Sequence, residues 1–225
     1  MKSKKKVFVT VLCAVLLVAA SVLGTMAYLT SEDEVENTFT VGNVAITLDE
    51  ADVDENGQLL NKDGAVWKEG DTLAARVKNN EYKLMPGHTY IKDPTVTVKK
   101  DSEPSYVKMT VTFTKASELD AIFAPKGADM TSIFNGYDST YWIYKGNTEN
   151  ATENTRTYEF WYKETVAAPE ADVALDALFD KIIVPGNINN DQLKTIEGMT
   201  ITVNAYAIQA DGFANADAAW EAFSK

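Results

Sequence analysis

Residues that build cross-links and metal sites are nearly absent from this sequence. Its 225 residues include one cysteine, Cys13, and one histidine, His88. An intrachain disulfide is therefore excluded, and a zinc site would have to combine carboxylates with a single imidazole. No His-Glu-x-x-His motif is present, and His88 directly follows Pro86-Gly87, which is typical of a turn. Metal-dependent hydrolysis and Cys–His catalysis thus have little support in the sequence.

Long apolar runs are equally scarce, and the only one covers residues 7–23. Four lysines precede it within the first six residues, and small residues up to Ala27 follow it before an acidic segment begins at Tyr28. This order predicts a secretory signal peptide over residues 1–27, cleaved between Ala27 and Tyr28. An uncleaved membrane anchor is the alternative, but the run is shorter than a comfortable spanning helix. We therefore expect residues 28–225 to be secreted, extracellular or associated with the cell surface.

Positive charge is low throughout the chain. The 21 basic residues face 33 acidic ones, and the formal net charge is −12. Loss of residues 1–27 removes four basic residues and no acidic one, which leaves 17 against 33 and a net charge of −16. Such a surface offers no basic patch for nucleic acid or anionic lipid. We expect no nucleic-acid partner, and no membrane contact after cleavage.

Alternation of apolar and polar residues dominates the sequence after residue 28. It is clearest over residues 106–114, where Val107, Met109, Val111 and Phe113 share one face. Further strands are predicted over residues 35–41, 44–48, 95–99, 140–144, 155–163 and 199–209. Helices are predicted over residues 117–123, 169–182 and 215–223, the last with Asn215 as its N-cap. The pattern predicts one all-β domain, an antiparallel β-sandwich with a few short helical insertions.

The first predicted strand is amphipathic and ends at a change of face. Val35, Phe39 and Val41 share its apolar side, and the parity of the apolar residues then reverses at Gly42-Asn43. A reversal of this kind requires a bulge or turn, so Gly42 and Asn43 are interpreted as a pivot. The segment before the pivot either pairs with its own sheet or adds to the sheet edge of another molecule. The pattern alone leaves both arrangements open.

One loop matches the spacing of calcium-binding loops. Asp52, Asp54 and Asn56 supply oxygens at the first, third and fifth places, Gly57 is sixth, and Asp63 is twelfth. A strand pattern rather than a helix precedes the loop, and the last acid is Asp rather than the usual longer Glu. The alternative is a polar hairpin tip with Asn56-Gly57 as its turn. Calcium is the only cofactor that the sequence suggests.

A dense group of aromatic residues lies between residues 137 and 162. Its members are Tyr137, Tyr141, Trp142, Tyr144, Trp161 and Tyr162. Core packing and cross-strand pairs are the expected use of such residues in a β-rich chain. A platform on which sugars stack is the alternative, and it would make the protein a carbohydrate-binding surface module.

Four motifs together resemble a known family. They are residues 24–31 (GTMAYLTS), 37–44 (NTFTVGNV, followed by Ile46 and Leu48), 84–94 (LMPGHTYIKDP) and 201–210 (ITVNAYAIQA). As a set they resemble the TasA/camelysin family of secreted Gram-positive proteins, which carry a SipW-type signal peptide. The resemblance covers the leader and both ends of the exported chain, but not residues 116–190.

The resemblance implies a jelly-roll-like sandwich, export through a dedicated signal peptidase and a role as a fibre-forming component of the biofilm matrix. It also implies that the N-terminal segment of one subunit fills a strand-shaped gap in the next. Here that exchangeable segment is residues 28–41, with Val35, Phe39 and Val41 as the buried side chains. The implied partners are copies of the chain and other matrix or anchoring proteins. Camelysin-like members are described as metallopeptidases, which is the alternative activity, but no catalytic residue is predicted here.

Overall fold

The structure is a computed structural model that describes residues 42–123 and 136–223. All of these residues belong to one compact unit, Gly42–Lys225. The predicted cleavage site at Ala27 and Tyr28 lies outside the described residues. So do the side chains proposed for strand exchange, Val35, Phe39 and Val41. None of the helices in the described part is long and apolar enough to cross a membrane.

The described chain is mostly β-strand, with short helices between strands. The strands are β1 (Ile46–Asp49), β2 (Thr89–Ile91), β3 (Thr95–Val98), β4 (Ser102–Thr114), β5 (Trp142–Asn150), β6 (Thr155–Tyr162), β7 (Val166–Ala168), β8 (Val173–Ala174), β9 (Lys181–Ile183) and β10 (Ile201–Gln209). The helices are α1 (Ala116–Phe123), α2 (Asn190–Thr195) and α3 (Ala216–Phe223). Every strand pair among them is antiparallel.

The strands form a larger sheet, a smaller sheet and one isolated pair. The larger sheet has the order β10-β4-β6-β5, and β7 also pairs with β4. The smaller sheet has the order β1-β3-β8, while β2 pairs with β9. Side chains of both sheets, including Val96 and Val98 of β3 and Met109 and Phe113 of β4, meet in one hydrophobic core. The prediction of an antiparallel, all-β fold with short helical insertions is confirmed, and the layering is sandwich-like.

Strand β4 fulfils the clearest sequence prediction. Val107, Met109, Val111 and Phe113 are 0–2% exposed, as the alternation predicted for one face of the strand. The neighbours on each side, β10 and β6, present residues to the same core. Partly buried Ile201 and Val203 come from β10, and fully buried Phe160 comes from β6.

The predicted helix over residues 169–182 is wrong. This segment instead contains β8 and the start of β9, joined by irregular chain. The N–H groups of Leu175 and Leu178 donate to the carbonyls of Val96 (2.8 Å) and Pro94 (3.2 Å). These donors are thus used by the smaller sheet and its flank, where a helix would have used them internally. Four apolar residues of the segment are buried, namely Leu175, Leu178, Phe179 and Ile182, whereas Val173 is 36% exposed. The same spacing of apolar residues also suits an irregular segment that covers a core.

The other helices differ less from the prediction. Helix α3 was predicted with Asn215 as its cap, and the Asn215 side-chain oxygen accepts the N–H of Ala218 at 3.0 Å. Helix α2 was not predicted. It is short and begins with a capping box, in which Asn189 and Gln192 each accept the other's backbone N–H. A six-residue helix with no buried residue leaves no apolar periodicity to detect.

Trp142 of β5 connects the larger sheet to segment 169–182 through a buried hydrogen bond, whose contribution to stability can be tested. Its ring is 1% exposed, and its indole N–H donates to the carbonyl of Asp176 at 3.0 Å. Trp142→Phe leaves this carbonyl without its partner, so we expect the free energy of unfolding to fall by about 1–3 kcal/mol. Urea unfolding followed by circular dichroism measures this loss. Tyr141→Phe, at the exposed neighbouring position, should change it by less than about 0.5 kcal/mol.

Candidate functional site

The backbone of β10 is paired on one side only within the described part of the chain. The N–H of Thr114 donates to the carbonyl of Thr200 (3.1 Å), and the N–H of Ala210 donates to the carbonyl of Pro104 (2.7 Å). These bonds flank the β10–β4 ladder, so even-numbered residues of β10 direct their backbone groups toward β4. Odd-numbered residues direct theirs to the opposite side. They are Ile201, Val203, Ala205, Ala207 and Gln209.

The two faces of β10 differ in chemistry. The side chains of Ile201, Val203, Ala205 and Ala207 pack against the core but remain partly exposed. On the other face, the Tyr206 ring contacts Phe223 of α3 edge-on at 5.6 Å. Strand β1 lies close to β10, but the two do not pair. Among the described residues, the side of β10 away from β4 is therefore an unpaired backbone edge next to an incompletely covered apolar surface.

At the opposite end of the larger sheet, β5 is paired only with β6 in the part of the chain that the structure describes, and this ladder is irregular. Its pairing with β6 shifts register between Tyr144 and Gly146, where Gly146 has a φ of 129°. The ammonium of Lys145 lies over the ring of Trp161 at 3.8 Å. Bulges and charged side chains are the features by which proteins prevent pairing at sheet edges. The register of β10 against β4 has no such shift over its nine residues.

The predicted pivot, Gly42-Asn43, is held in place by hydrogen bonds of the backbone at and just after it. The carbonyl of Asn43 accepts the N–H of Glu103 at 2.9 Å. Two residues later, the N–H of Ala45 donates to the hydroxyl oxygen of Ser102 at 3.2 Å. Gly42 packs so close to Glu103 that an added Cβ would lie 3.1 Å from the Cγ of that side chain. The chain is therefore held to the start of β4 at Gly42-Asn43, directly after the segment predicted to be exchangeable.

The calcium-like loop has the geometry of a hairpin tip. Val53 bridges to Leu59, and the Asp54 carboxylate accepts the N–H groups of Asn56 (3.0 Å) and Gln58 (2.8 Å). Gly57, with φ of 75°, closes the turn. The tip is not solvated on all sides, because Gly57 is buried against Tyr90. This geometry agrees with the alternative given above, a tip that turns at Asn56-Gly57.

The remaining calcium candidate lies in a different turn. The Asp63 carboxylate is paired with Lys62 at 2.9 Å and is exposed. Within residues 42–123 and 136–223, no three or more His, Cys, Asp and Glu residues are grouped so that they could hold a metal ion. The structure thus does not gather Asp52, Asp54 and Asp63. Calcium binding stays a prediction from the spacing alone.

The aromatic group serves mainly as core and cross-strand packing. Trp142 is buried and meets Tyr162 edge-on at 5.0 Å, while Tyr141 stacks on Tyr162 at 6.2 Å. Burial, with the nearby Asp176 carboxylate, raises the pKa of Tyr162 to about 12. Trp161 packs against Trp220 under the ammonium of Lys145. Trp142 is therefore not accessible to a sugar ring.

One buried polar cluster has no signal in the sequence. Glu50 and Lys92 are 5% and 7% exposed, and Lys92 Nζ lies 2.5 Å from Glu50 Oε2. The second carboxylate oxygen of Glu50 accepts from Asn80 Nδ2 at 2.9 Å. These residues are distant in sequence and share no motif, so only the tertiary structure could reveal the cluster.

Comparisons with known proteins do not assign a family. No protein-family model matches the chain, and neither a curated protein nor a solved structure matches it. The resemblance to the TasA/camelysin family therefore stays a prediction. Two of its motifs are in the described part, where residues 84–94 contain β2 and residues 201–210 contain β10.

The close packing of Gly57 in the hairpin tip predicts a stability difference between two glycine variants. A Cβ added to Gly57 would lie 2.5 Å from the Cα and 2.7 Å from the Cβ of Tyr90, whereas one added to Gly64 would meet nothing within 4 Å. Both glycines have positive φ, of 75° and 77°, so both alanine variants bear similar backbone strain. We expect Gly57→Ala to be about 1–3 kcal/mol less stable than Gly64→Ala in urea unfolding, because only Gly57→Ala overpacks the core. Equal stabilities would contradict this packing.

Proposed function

We propose that this protein is a secreted, non-catalytic structural component of the cell surface or biofilm matrix. It self-associates when residues 28–41 of one copy add as a strand to the sheet of another, and its sandwich is jelly-roll-like. The observation that carries the proposal is the one-sided pairing of β10 within the described residues. The order of basic, apolar and small residues before Tyr28 supports export. The metallopeptidase and carbohydrate-binding alternatives stay predictions from the sequence.

The free edge of β10 suits the proposed donor in length and chemistry. Strand β10 has nine residues, and the alternating donor pattern covers residues 35–41. The outward N–H and C=O groups of the odd-numbered residues supply the main-chain hydrogen bonds. On the core side, Val35, Phe39 and Val41 extend the apolar surface formed by Ile201 and Val203. Polar residues of the donor then alternate toward solvent.

The opposing free-energy contributions to strand addition are of similar size, so we expect fibre assembly to depend on protein concentration. Burial of three apolar side chains stabilises the contact by about 1.5–3 kcal/mol each. Loss of translational and rotational freedom opposes it by about 4–15 kcal/mol. Main-chain hydrogen bonds contribute a net of about 0.5–1.5 kcal/mol each, so their number decides whether the free energy of association is favourable. Repulsion between copies of net charge −16 after cleavage adds to the opposing side at neutral pH.

Removal of the donor tests the proposal directly. The exported chain that begins at Tyr28 is expected to form fibres visible by negative-stain electron microscopy. The same chain without residues 28–41 is expected to remain monomeric, because it keeps an acceptor edge but supplies no strand. Circular dichroism and urea unfolding establish that the shorter chain is folded. Fibres from a folded chain that lacks residues 28–41 would refute donation from this end.

A single substitution tests which edge accepts the strand. Ala205→Pro removes an N–H that points away from β4, so the β10–β4 ladder keeps its hydrogen bonds while the free edge loses a donor. We expect Ala205→Pro to reduce fibre formation at least tenfold while the chain stays folded. The matched control is Asn147→Pro on β5, where the N–H also points away from the neighbouring strand. Fibres that are lost with Asn147→Pro and retained with Ala205→Pro would assign acceptance to β5 instead.

A further inference from the structure

A single buried carboxylate holds an amine and a carboxamide together. Glu50 directly follows β1, and its two oxygens contact Lys92 Nζ at 2.5 Å and Asn80 Nδ2 at 2.9 Å. The backbone of Glu50 pairs with Val77 through two hydrogen bonds of 2.8 Å, which fixes the carboxylate near the chain that leads to Asn80. The three groups therefore meet in one place although they come from three separate segments.

Glu50 and Lys92 are buried beside two aromatic rings, while Asn80 is partly buried. The Tyr82 ring lies 5.9 Å from Lys92 Nζ and meets the Tyr90 ring edge-on, also at 5.9 Å. The phenol of Tyr82 donates to the carbonyl of Ile91, and burial raises the pKa of Tyr82. Buried ions bear a desolvation cost that their mutual attraction only partly offsets. Proton transfer from an ammonium to a carboxylate removes both charges, and it leaves a neutral amine, which is a nucleophile.

The carboxamide of Asn80 is held in one orientation. Its Nδ2 donates to the carbonyl of Ala51 at 2.9 Å as well as to Glu50, and its Oδ1 accepts the N–H of Val53 at 3.1 Å. A backbone N–H in this position stabilises negative charge that develops on the amide oxygen when a nucleophile adds to the carbon. The amide nitrogen of Asn80 is hydrogen-bonded to the Glu50 carboxyl group, which, once protonated, can supply a proton to it.

We propose that Lys92 and Asn80 become joined by an intramolecular isopeptide bond, with Glu50 as the proton-transfer residue. Glu50 accepts a proton from the Lys92 ammonium, and the Nζ lone pair attacks Cγ of Asn80. Glu50 then protonates Nδ2 and accepts a second proton from Nζ. The Cγ–Nδ2 bond breaks and ammonia leaves, which takes up the remaining proton as ammonium. An amide and an ammonium ion replace an ammonium and an amide, so no oxidant or other reactant is needed.

The bond would act as a covalent staple in an exported chain that contains no cysteine. It closes the segment between residues 80 and 92, which contains β2 and the contact between Tyr82 and Tyr90. A cross-link of this kind restricts the unfolded chain in the way that a disulfide does. The inference is independent of strand donation, because all of its groups belong to one copy.

Mass spectrometry of the purified exported chain tests the proposal. The expected intact mass, after denaturation, is lower than the calculated mass by one molecule of ammonia. Trypsin does not cleave after an acylated lysine, so the digest should contain residues 79–83 joined to residues 84–99. An unmodified mass with free peptide 84–92 would overturn the proposal. The same mass loss without a joined peptide would also overturn it, because a succinimide at Asn80 loses ammonia without cross-linking.

Two variants separate the chemistry from the fold. Glu50→Gln retains the shape of the side chain but cannot accept the proton, and we expect complete loss of the joined peptide. Asn79→Ala, at the exposed neighbouring residue, is the matched control and should retain it fully. Circular dichroism shows whether Glu50→Gln is folded, and the mass of the unsubstituted chain decides the proposal if it is not. A folded Glu50→Gln chain that still contains the cross-link would refute the role of Glu50.

Discussion

Antiparallel pairing on both sides of β4 is the interaction on which the larger sheet depends. Its thirteen residues pair with β10 on one side and with β6 and β7 on the other. The alternation along β4 places four apolar side chains in the core, and it places Lys108 on the opposite face. There the ammonium lies 4.7 Å from the centre of the Trp220 ring of α3. A slip of one residue would exchange these faces, so the apolar pattern holds the register.

The same pairing decides which backbone groups of β10 point outward. Because every second residue of β10 is used by β4, the others direct their N–H and C=O groups to the free edge, beside apolar side chains such as Val203. The proposed acceptor surface is thus a consequence of the core and not a separate motif. At β5, the register shift between Tyr144 and Gly146 interrupts the ladder, whereas the β10–β4 ladder is regular, and this difference is why we propose β10 as the acceptor.

The cluster of Glu50, Asn80 and Lys92 shows a second way in which the fold positions chemistry. A charged pair in an apolar site is costly unless every polar atom has a partner, and here the carboxylate has one at each oxygen. The neighbouring backbone groups of Ala51 and Val53 complete the hydrogen bonds of the amide. These hydrogen bonds keep both the amine and the carboxamide in contact with one carboxylate, and such proximity is the first requirement of a reaction between them.

Local alternation by itself determined the antiparallel β class, the buried face of β4 and the cap of α3, because a strand period and a cap depend on near neighbours. Segment 169–182 shows the limit, since helical spacing of apolar residues equally fits an irregular segment whose donors are used by the smaller sheet. Only the tertiary structure decided that Lys92 meets Glu50, 42 residues away, and that β10 is the last strand of the larger sheet among the described residues. Contacts of this kind arise when separate elements bury a common core, and no local pattern encodes which elements become neighbours.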